Sequence, residues 1–312
     1  ENRMDRLGFY DSTIRTSNTL SVSGGNEDIT SYFSGTYLTD GNILPNTDGL
    51  RRASLNLRSE LNLDRFSATV RANYINNKVL DRRRIHDFPG NPNWATNFFP
   101  QTFDLNDMKP GFDEQTLAES GTWLPNPFFT NPWFAVNRFE ANDATNRLIG
   151  KVELGYDLLN WLSVNGRTGL DLGSRRSENV TPDGTAYSPE GSVSVNDRRT
   201  IESTTDLWFN VTRSLPYDLA VDSRFGGTLR IRDVELTGGS GSGFIRPGDA
   251  VLQNMANQSS NYDVVEKEVR SFYGSVDFSF RDYLFLSVTG RNDWSSTLPE
   301  ANNSFFYPSV ST

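Results

Sequence analysis

The sequence has no cysteine and a single histidine, His86. Without cysteine, neither a disulfide framework nor a thiolate metal site can form. No second histidine lies near His86, so metal or triad chemistry is not indicated, and we interpret His86 as an incidental surface residue. The chain also has no run of about eighteen apolar residues, which excludes a transmembrane helix.

The charge balance of the 312-residue chain also excludes a class of partner. The formal net charge is −9 and the pI is about 4.8. Nucleic-acid-binding proteins carry clustered basic residues, so no nucleic-acid partner is expected. Arginine greatly outnumbers lysine, and many arginines stand near Asp, Glu or Asn. This pattern suits a network lining a polar cavity, although an ordinary solvated sheet surface would also produce it.

The most informative pattern is a strict alternation of apolar and polar residues. In residues 53–64 every odd position is apolar except Ser59, and every even position is polar or charged. After a turn the alternation resumes from Phe66 to Tyr74. Successive side chains of a β-strand point to opposite faces, so each segment would have one apolar and one polar face. The pattern predicts strands of about ten residues or more, long enough to cross a bilayer.

This unit recurs along the whole chain. We predict strands at about 16–23, 29–39, 51–63, 66–76, 146–158, 161–173, 199–213, 218–232, 267–280, 283–292 and 305–312. Short turns are expected at Gly24–Asp28, Asp64–Arg65, Leu159–Asn160, Ser214–Tyr217 and Arg281–Asp282. Long loops are expected at Asp40–Leu50, Asn77–Thr145, Ser174–Arg198, Asp233–Glu266 and Asp293–Ser304.

The alternation of short and long connections is typical of outer-membrane barrels, whose short turns are periplasmic and whose long loops are extracellular. The sequence therefore predicts an all-β fold, a transmembrane antiparallel β-barrel. Residues 1–312 would form part of one barrel domain, with a long extracellular loop at about 77–145. The apolar face would contact outer-membrane lipid. The charged residues of the polar face are then candidate lumen residues: Arg58, Glu60, Arg71, Arg167, Asp171, Arg224, Arg230, Asp277 and Arg291.

The loop at 77–145 is too long and too aromatic for an idle connection. Its candidates for contact with a solute or partner are Trp94, Phe98, Phe99, Phe103, Trp123, Phe128, Phe129 and Trp133. Two interpretations stay open. The aromatic residues form a self-packed core within the loops, or they recognise a solute or partner protein.

The other residue clusters of the sequence indicate neither a metal site nor a phosphate-binding site. The Asp/Asn/Gly clusters at residues 40–42 and 46–49 lack calcium-loop spacing, so they are interpreted as turns. The segment Gly238–Gly243 is expected to be flexible, and no helix follows it that could help to bind phosphate. We therefore expect no catalytic residue, no metal site and no cofactor. Because the chain begins at Glu1 and ends within a predicted strand, we expect a fragment whose barrel is closed by further strands.

Several motifs resemble one family. They are LSVSGGN at residues 20–26, NRLIG at 146–150 with WLS at 161–163, RNDWSST at 291–297 and FFYPSVS at 305–311. In this order they resemble the barrel of SusC/RagA-like TonB-dependent transporters of Bacteroidota. The resemblance implies a barrel of about 22 strands, of which this chain would hold the second to the twelfth, with the plug and the TonB-contacting segment outside it.

The resemblance also implies a function. Such a protein would sit in the outer membrane of a Gram-negative bacterium and import a bulky nutrient, a glycan or an oligopeptide, together with TonB and a SusD-like surface lipoprotein that covers the barrel. It would not be an enzyme. A passive porin-like channel is one alternative, and a soluble β-rich adhesin or enzyme is another.

The strand alternation makes a first prediction. Spin labels should be reached by lipid-soluble quenchers at Leu55, Leu57, Val152, Leu154, Val276 and Phe278. They should be shielded at Arg58, Glu60, Arg71, Arg167, Arg224 and Asp277. Arginine introduced at a lipid-facing midplane position should cost about 2–4 kcal/mol, and far less on the polar face. Quenchers that reach the second set and miss the first would contradict the assignment.

Overall fold

The computed structural model describes residues 6–82, 84–99, 103–121, 126–281 and 283–312. Its main feature is one antiparallel sheet of eleven strands, in which spatial order follows chain order from β1 to β11. The strands are β1 Arg15–Gly25, β2 Ile29–Asp40, β3 Leu50–Leu63, β4 Phe66–Val79, β5 Glu140–Leu159, β6 Leu162–Thr181, β7 Ser192–Leu215, β8 Leu219–Phe244, β9 Met255–Phe280, β10 Leu284–Ser295 and β11 Ser304–Ser311. The predicted all-β fold is confirmed.

Helices are few and short. Two α-helices, α1 Pro92–Phe98 and α2 Pro132–Arg138, lie in the connection between β4 and β5. In the part of the chain that the structure describes, no helix is both long enough and apolar enough to cross a membrane.

The register of the strands keeps two chemically different faces apart. Leu57 of β3 lies opposite Phe33 of β2 and Ala72 of β4, so one face stays apolar from strand to strand. In the adjacent row Arg58 lies opposite Arg71. Directly opposite residues of an antiparallel pair share a face, and a one-residue slip would move each side chain to the other face. The contrast between the faces therefore favours this register over its neighbours.

The strands β5 to β9 are much longer than predicted, at 20 to 26 residues. A tilted strand needs only about 9–11 residues to cross a bilayer. The predicted loops at Ser174–Arg198 and Asp233–Glu266 are therefore wrong over most of their length, because the actual connections are residues 182–191 and 245–254. Alternation failed as a signal here because apolar and polar residues do not alternate over most of these extensions.

The glycine-rich segment Gly238–Gly243 is also not the flexible loop that was predicted. It lies in β8 and pairs with β7 on one side and β9 on the other. At Gly241 a Cβ atom would lie 2.5 Å from Cβ of Met255 and 2.9 Å from the carbonyl oxygen of Asn257. Glycine is required there because Met255, which is buried against Val193 and Val180, covers the strand closely.

A substitution tests this close approach. Gly241→Ala should force Met255 or the backbone to move and cost about 1–3 kcal/mol through overpacking. Amide hydrogen exchange should increase around the connections 182–191 and 245–254. The control is Gly173→Ala in β6, where the nearest atom to a new Cβ is 4.0 Å away. Equal exchange in both variants would show that the packing at Gly241 is not tight.

Candidate functional site

The connection between β4 and β5 is a folded unit. Both of its helices begin with Asn-Pro: the Asn91 side chain accepts a hydrogen bond from the Asn93 N–H, and the Asn131 side chain accepts one from the Trp133 N–H. An asparagine N-cap followed by proline at the first helical position favours a helix start. These two Asn-Pro pairs are the sequence signal from which α1 and α2 could have been predicted.

A hydrophobic core holds the unit together and ties it to other loops. Phe99 and Trp133 are buried against Phe9, which precedes β1, and Leu44, which lies between β2 and β3. The ring of Trp133 lies 5.0 Å from that of Phe9, and its Nε1 donates a hydrogen bond of 2.6 Å to the Leu105 carbonyl. The core is completed by Ala95, Leu105, Met108 and Val136. Segments from three parts of the sequence thus form one loop assembly at the long-loop end of the sheet.

A polar contact joins the same unit to residues 182–191. The Glu119 carboxylate accepts one hydrogen bond from the Asn131 N–H, at 2.6 Å, and another from the Ala186 N–H, at 3.0 Å. Burial raises the pKa of the Glu119 carboxyl, and these two hydrogen bonds act in the opposite direction. An ion pair of 3.3 Å between Arg138 and Asp183 adds a second connection.

The predicted aromatic residues of the loop divide into two groups. Phe99, Phe103 and Trp133 belong to the core, so self-packing accounts for them. Trp94, Phe98 and Phe129 form a second group, which we call the aromatic triad. The rings of Trp94 and Phe129 are stacked at 4.5 Å, and Phe98 packs edge-on against both.

One member of the aromatic triad is exposed and two are partly buried. Phe98 is 51% exposed, and Trp94 and Phe129 are intermediate; Phe128, next to the triad in sequence, is 54% exposed. An exposed aromatic ring beside a satisfied core is available for contact with a solute or a partner. Trp123 lies outside the described residues.

The predicted polar-face residues lie on one face. The register places Arg58, Glu60, Arg71, Arg167, Asp171, Arg224, Arg230, Asp277 and Arg291 on the face opposite the apolar side chains. Most of their charges are paired. The ion pairs on this face are Glu60 with Arg58 and Arg71, Asp171 with Arg147, Asp206 with Arg167, Glu202 with Arg230, and Asp293 with Arg291.

Two features of this face were missed in the sequence. Arg147, Glu202 and Asp206 take part in ion pairs that cross between strands, and such pairs depend on a register that alternation alone does not specify. Asp277 lies opposite Asp222, and within the described ranges neither forms an ion pair. Among the residues that the structure describes, no group of three or more His, Cys, Asp or Glu side chains is arranged to hold a metal ion.

Comparison with known proteins finds likeness in structure only. No family model and no curated protein matches the sequence. The solved structure of the RagAB peptide transporter matches 99% of this chain and 35% of its own, with a TM-score of 0.76 and 16% identity. The RagAB peptide importer in the open-open state matches 99% of this chain and 34% of its own chain, with a TM-score of 0.74 and 18% identity. The ferripyoverdine receptor of the outer membrane of Pseudomonas aeruginosa matches 95% of this chain and 38% of its own chain, with a TM-score of 0.54 and 14% identity.

These matches define the fold. The chain spans about a third of the length of the structures it resembles, which are those of transporters and receptors. The predicted fold class is confirmed: the eleven-stranded antiparallel sheet has the fold of part of a TonB-dependent transporter barrel.

Asn131 offers a test of the loop assembly. It is fully buried, caps α2, and donates hydrogen bonds to the carbonyls of Met108 and Ser120. Asn131→Ala should leave these groups without partners and destabilise the assembly by about 2–4 kcal/mol. Proteolysis within residues 80–139 should accelerate while the sheet stays intact.

The matched control is Asn126→Ala. Among the residues that the structure describes, the Asn126 side chain accepts one local hydrogen bond, from the Phe128 N–H, at an exposed position. This variant should leave the proteolysis rate nearly unchanged. If both variants are cleaved at the wild-type rate, the loop assembly does not depend on this buried asparagine.

Proposed function

We propose that the chain is part of an outer-membrane transporter that actively imports a bulky solute. One observation carries the proposal: a continuous antiparallel sheet with one apolar face and one charged face matches a transporter barrel over 99% of the chain. An apolar face suits lipid, and a charged face suits a water-filled or plugged interior. The strands β2 to β10 are paired on both sides, which meets the requirement that no backbone hydrogen-bonding group is left exposed to hydrocarbon.

In this proposal residues 1–312 form part of one barrel domain and the loop assembly is extracellular. The short turns lie at one end of the sheet, and the connections 41–49, 80–139, 182–191 and 245–254 lie at the other. Short turns are periplasmic and long loops extracellular in barrels of this kind. The aromatic triad would then face the medium, where it can contact the solute or a covering protein.

We further propose a SusD-like lipoprotein as that covering protein, TonB as the source of energy through parts outside this chain, and a glycan or an oligopeptide as the solute. The sequence motifs that resemble SusC/RagA-like transporters support this choice, and the likeness to the RagAB peptide transporter is consistent with it. The extensions of β5 to β9 also support a covering lipoprotein. They lengthen the sheet at the end where the long loops lie, and a second protein can bind against this added surface.

The main rival is a passive channel, and uptake measurements separate the two. Cells carrying the full-length protein should accumulate a fluorescent oligopeptide mixture or oligosaccharide mixture, and cells lacking it should not. Dissipation of the proton gradient should abolish the difference if transport is active. Uptake that persists without the gradient would identify a porin-like channel, and a protein absent from outer-membrane fractions would refute both.

The aromatic triad gives a specific prediction. Deleting the segment from Trp94 to Phe103 would remove Phe99 from the core, so point variants are the cleaner test. Trp94→Ala combined with Phe98→Ala should weaken solute uptake or lipoprotein binding by about 1–3 kcal/mol, roughly 5- to 150-fold, as loss of aromatic anchors does.

The control for this prediction is Ile85→Ala. Ile85 is apolar and 68% exposed but lies outside the aromatic triad, so uptake should be unchanged. Proteolysis of the loop should match the wild type in both variants. Equal uptake in the triad variant, the control and the wild type would show that the aromatic triad recognises nothing.

A further inference from the structure

Trp208 is a large aromatic residue on the otherwise hydrophilic middle of the polar face. It lies in β7 between Asp206 and Asn210, whose side chains share that face. Only 8% of Trp208 is exposed, and its Nε1 is buried without a hydrogen-bond partner in the described chain. A buried donor left unsatisfied costs about 1–3 kcal/mol. The indole N–H therefore points to an acceptor that belongs to another molecule or to another part of the protein.

A second free donor lies beside it. Gly226 of β8 is opposite Trp208, and Tyr273 of β9 is opposite Gly226. A Cβ atom on Gly226 would lie 2.7 Å from both Cβ of Trp208 and the hydroxyl of Tyr273. The absence of a side chain at Gly226 thus lets the phenol lean towards the tryptophan. Across the described ranges, the Tyr273 hydroxyl forms no hydrogen bond.

Arginines surround this pair of aromatic rings. The guanidinium of Arg167 lies 5.6 Å from the centre of the Trp208 ring, and that of Arg224 lies 5.8 Å from it. Arg291 lies 5.9 Å from the ring centre of Tyr273. Three guanidinium groups therefore lie around two neutral donors, together with the carboxylates of Asp206 and Asp293.

Only one of these arginines lacks a carboxylate. Arg167 binds Asp206, and Arg291 binds Asp293. Arg224 donates only from Nε, to the amide oxygen of Asn210 at 2.9 Å, and forms no ion pair with any described carboxylate. Its terminal nitrogens remain free, and its side chain is exposed.

We propose that Trp208, Arg224 and Tyr273 form a carboxylate-binding site on the polar face. A guanidinium presents a planar fork that matches the two oxygens of a carboxylate, and the indole N–H and phenol O–H can each add one hydrogen bond. Two sources share this chemistry: the carboxylate of a solute that passes along the face, and an acidic side chain of a protein segment that packs against it. The inference depends on the proposed function only in that the polar face lines the barrel interior.

The test reads the hydrogen bond of one indole. Ultraviolet resonance Raman spectra of the full-length protein and of Trp208→Phe, both purified from outer membranes in detergent, give Trp208 as a difference spectrum. The indole N–H band in that spectrum shifts when the N–H donates. The probe is sodium acetate, with acetamide and sodium chloride at matched concentrations as controls.

Two results support the site and distinguish its sources. A free N–H that becomes bonded saturably with acetate, and not with acetamide or chloride, indicates a solute carboxylate. If the Trp208 N–H already donates a hydrogen bond without acetate, and Arg224→Gln returns its band to the frequency of a free N–H, the acceptor is an internal acidic side chain. In the first case Arg224→Gln should weaken acetate binding at least threefold. Arg71→Gln, on the same face but paired with Glu60, should have no effect in either case.

Two other results would overturn the proposal. An N–H that stays free at all acetate concentrations means that no carboxylate reaches it. An N–H bonded in wild type and equally bonded in Arg224→Gln means that its acceptor is not a group held by this arginine. Neither result would affect the proposed transport function, which is measured by uptake.

Discussion

Backbone pairing in a register that keeps an apolar face and a polar face apart organises the whole sheet. Each strand hydrogen-bonds to its sequence neighbours, and the pairing places Leu57 beside Phe33 and Ala72 while Arg58 stays beside Arg71. In hydrocarbon, an unpaired backbone group costs several kcal/mol, so a sheet there must be fully paired. The same register brings arginines and carboxylates of different strands within ion-pair distance. Exposed pairs of this kind contribute about 0–1 kcal/mol each, so they shape the polar face more than they stabilise it.

The loop assembly follows a different principle from the sheet. Its stability comes from an apolar core around Trp133 and Phe99 and from buried polar groups such as Asn131, as in a small water-soluble domain. Phe9 and Leu44 contribute to that core from other parts of the sequence. The assembly thus ties several loops into one body and holds the aromatic triad in a defined position. Side chains that are already held in one position, as those of the aromatic triad are, lose little conformational entropy when they bind a partner.

Sequence alternation was sufficient to predict all eleven strands, because a sheet with one apolar and one polar face has a period of two. It could not predict the extension of β8 through Gly241, because residues 238–243 are only glycine and serine and carry no alternation of apolar and polar side chains. Nor could it separate Phe98 from Phe99, which are adjacent and equally apolar, although one is exposed and the other is in the core. That difference arises at the end of α1, whose start was encoded by Asn91 and Pro92. Ion pairs between strands, such as Arg167 with Asp206, could not be predicted either, because they depend on the strand register.

A cysteine scan along β4 measures whether the sheet separates lipid from a polar interior. Residues 1–312 contain no cysteine, so single substitutions from Phe66 to Asn73 can be labelled with a small hydrophilic thiol reagent in intact outer membranes. Reactivity should alternate with a period of two. Cysteines that replace Ser67, Thr69, Arg71 and Asn73 should react, and those that replace Phe66, Ala68, Val70 and Ala72 should be protected. Uniform reactivity, or protection at the polar positions with reaction at the apolar ones, would contradict this separation.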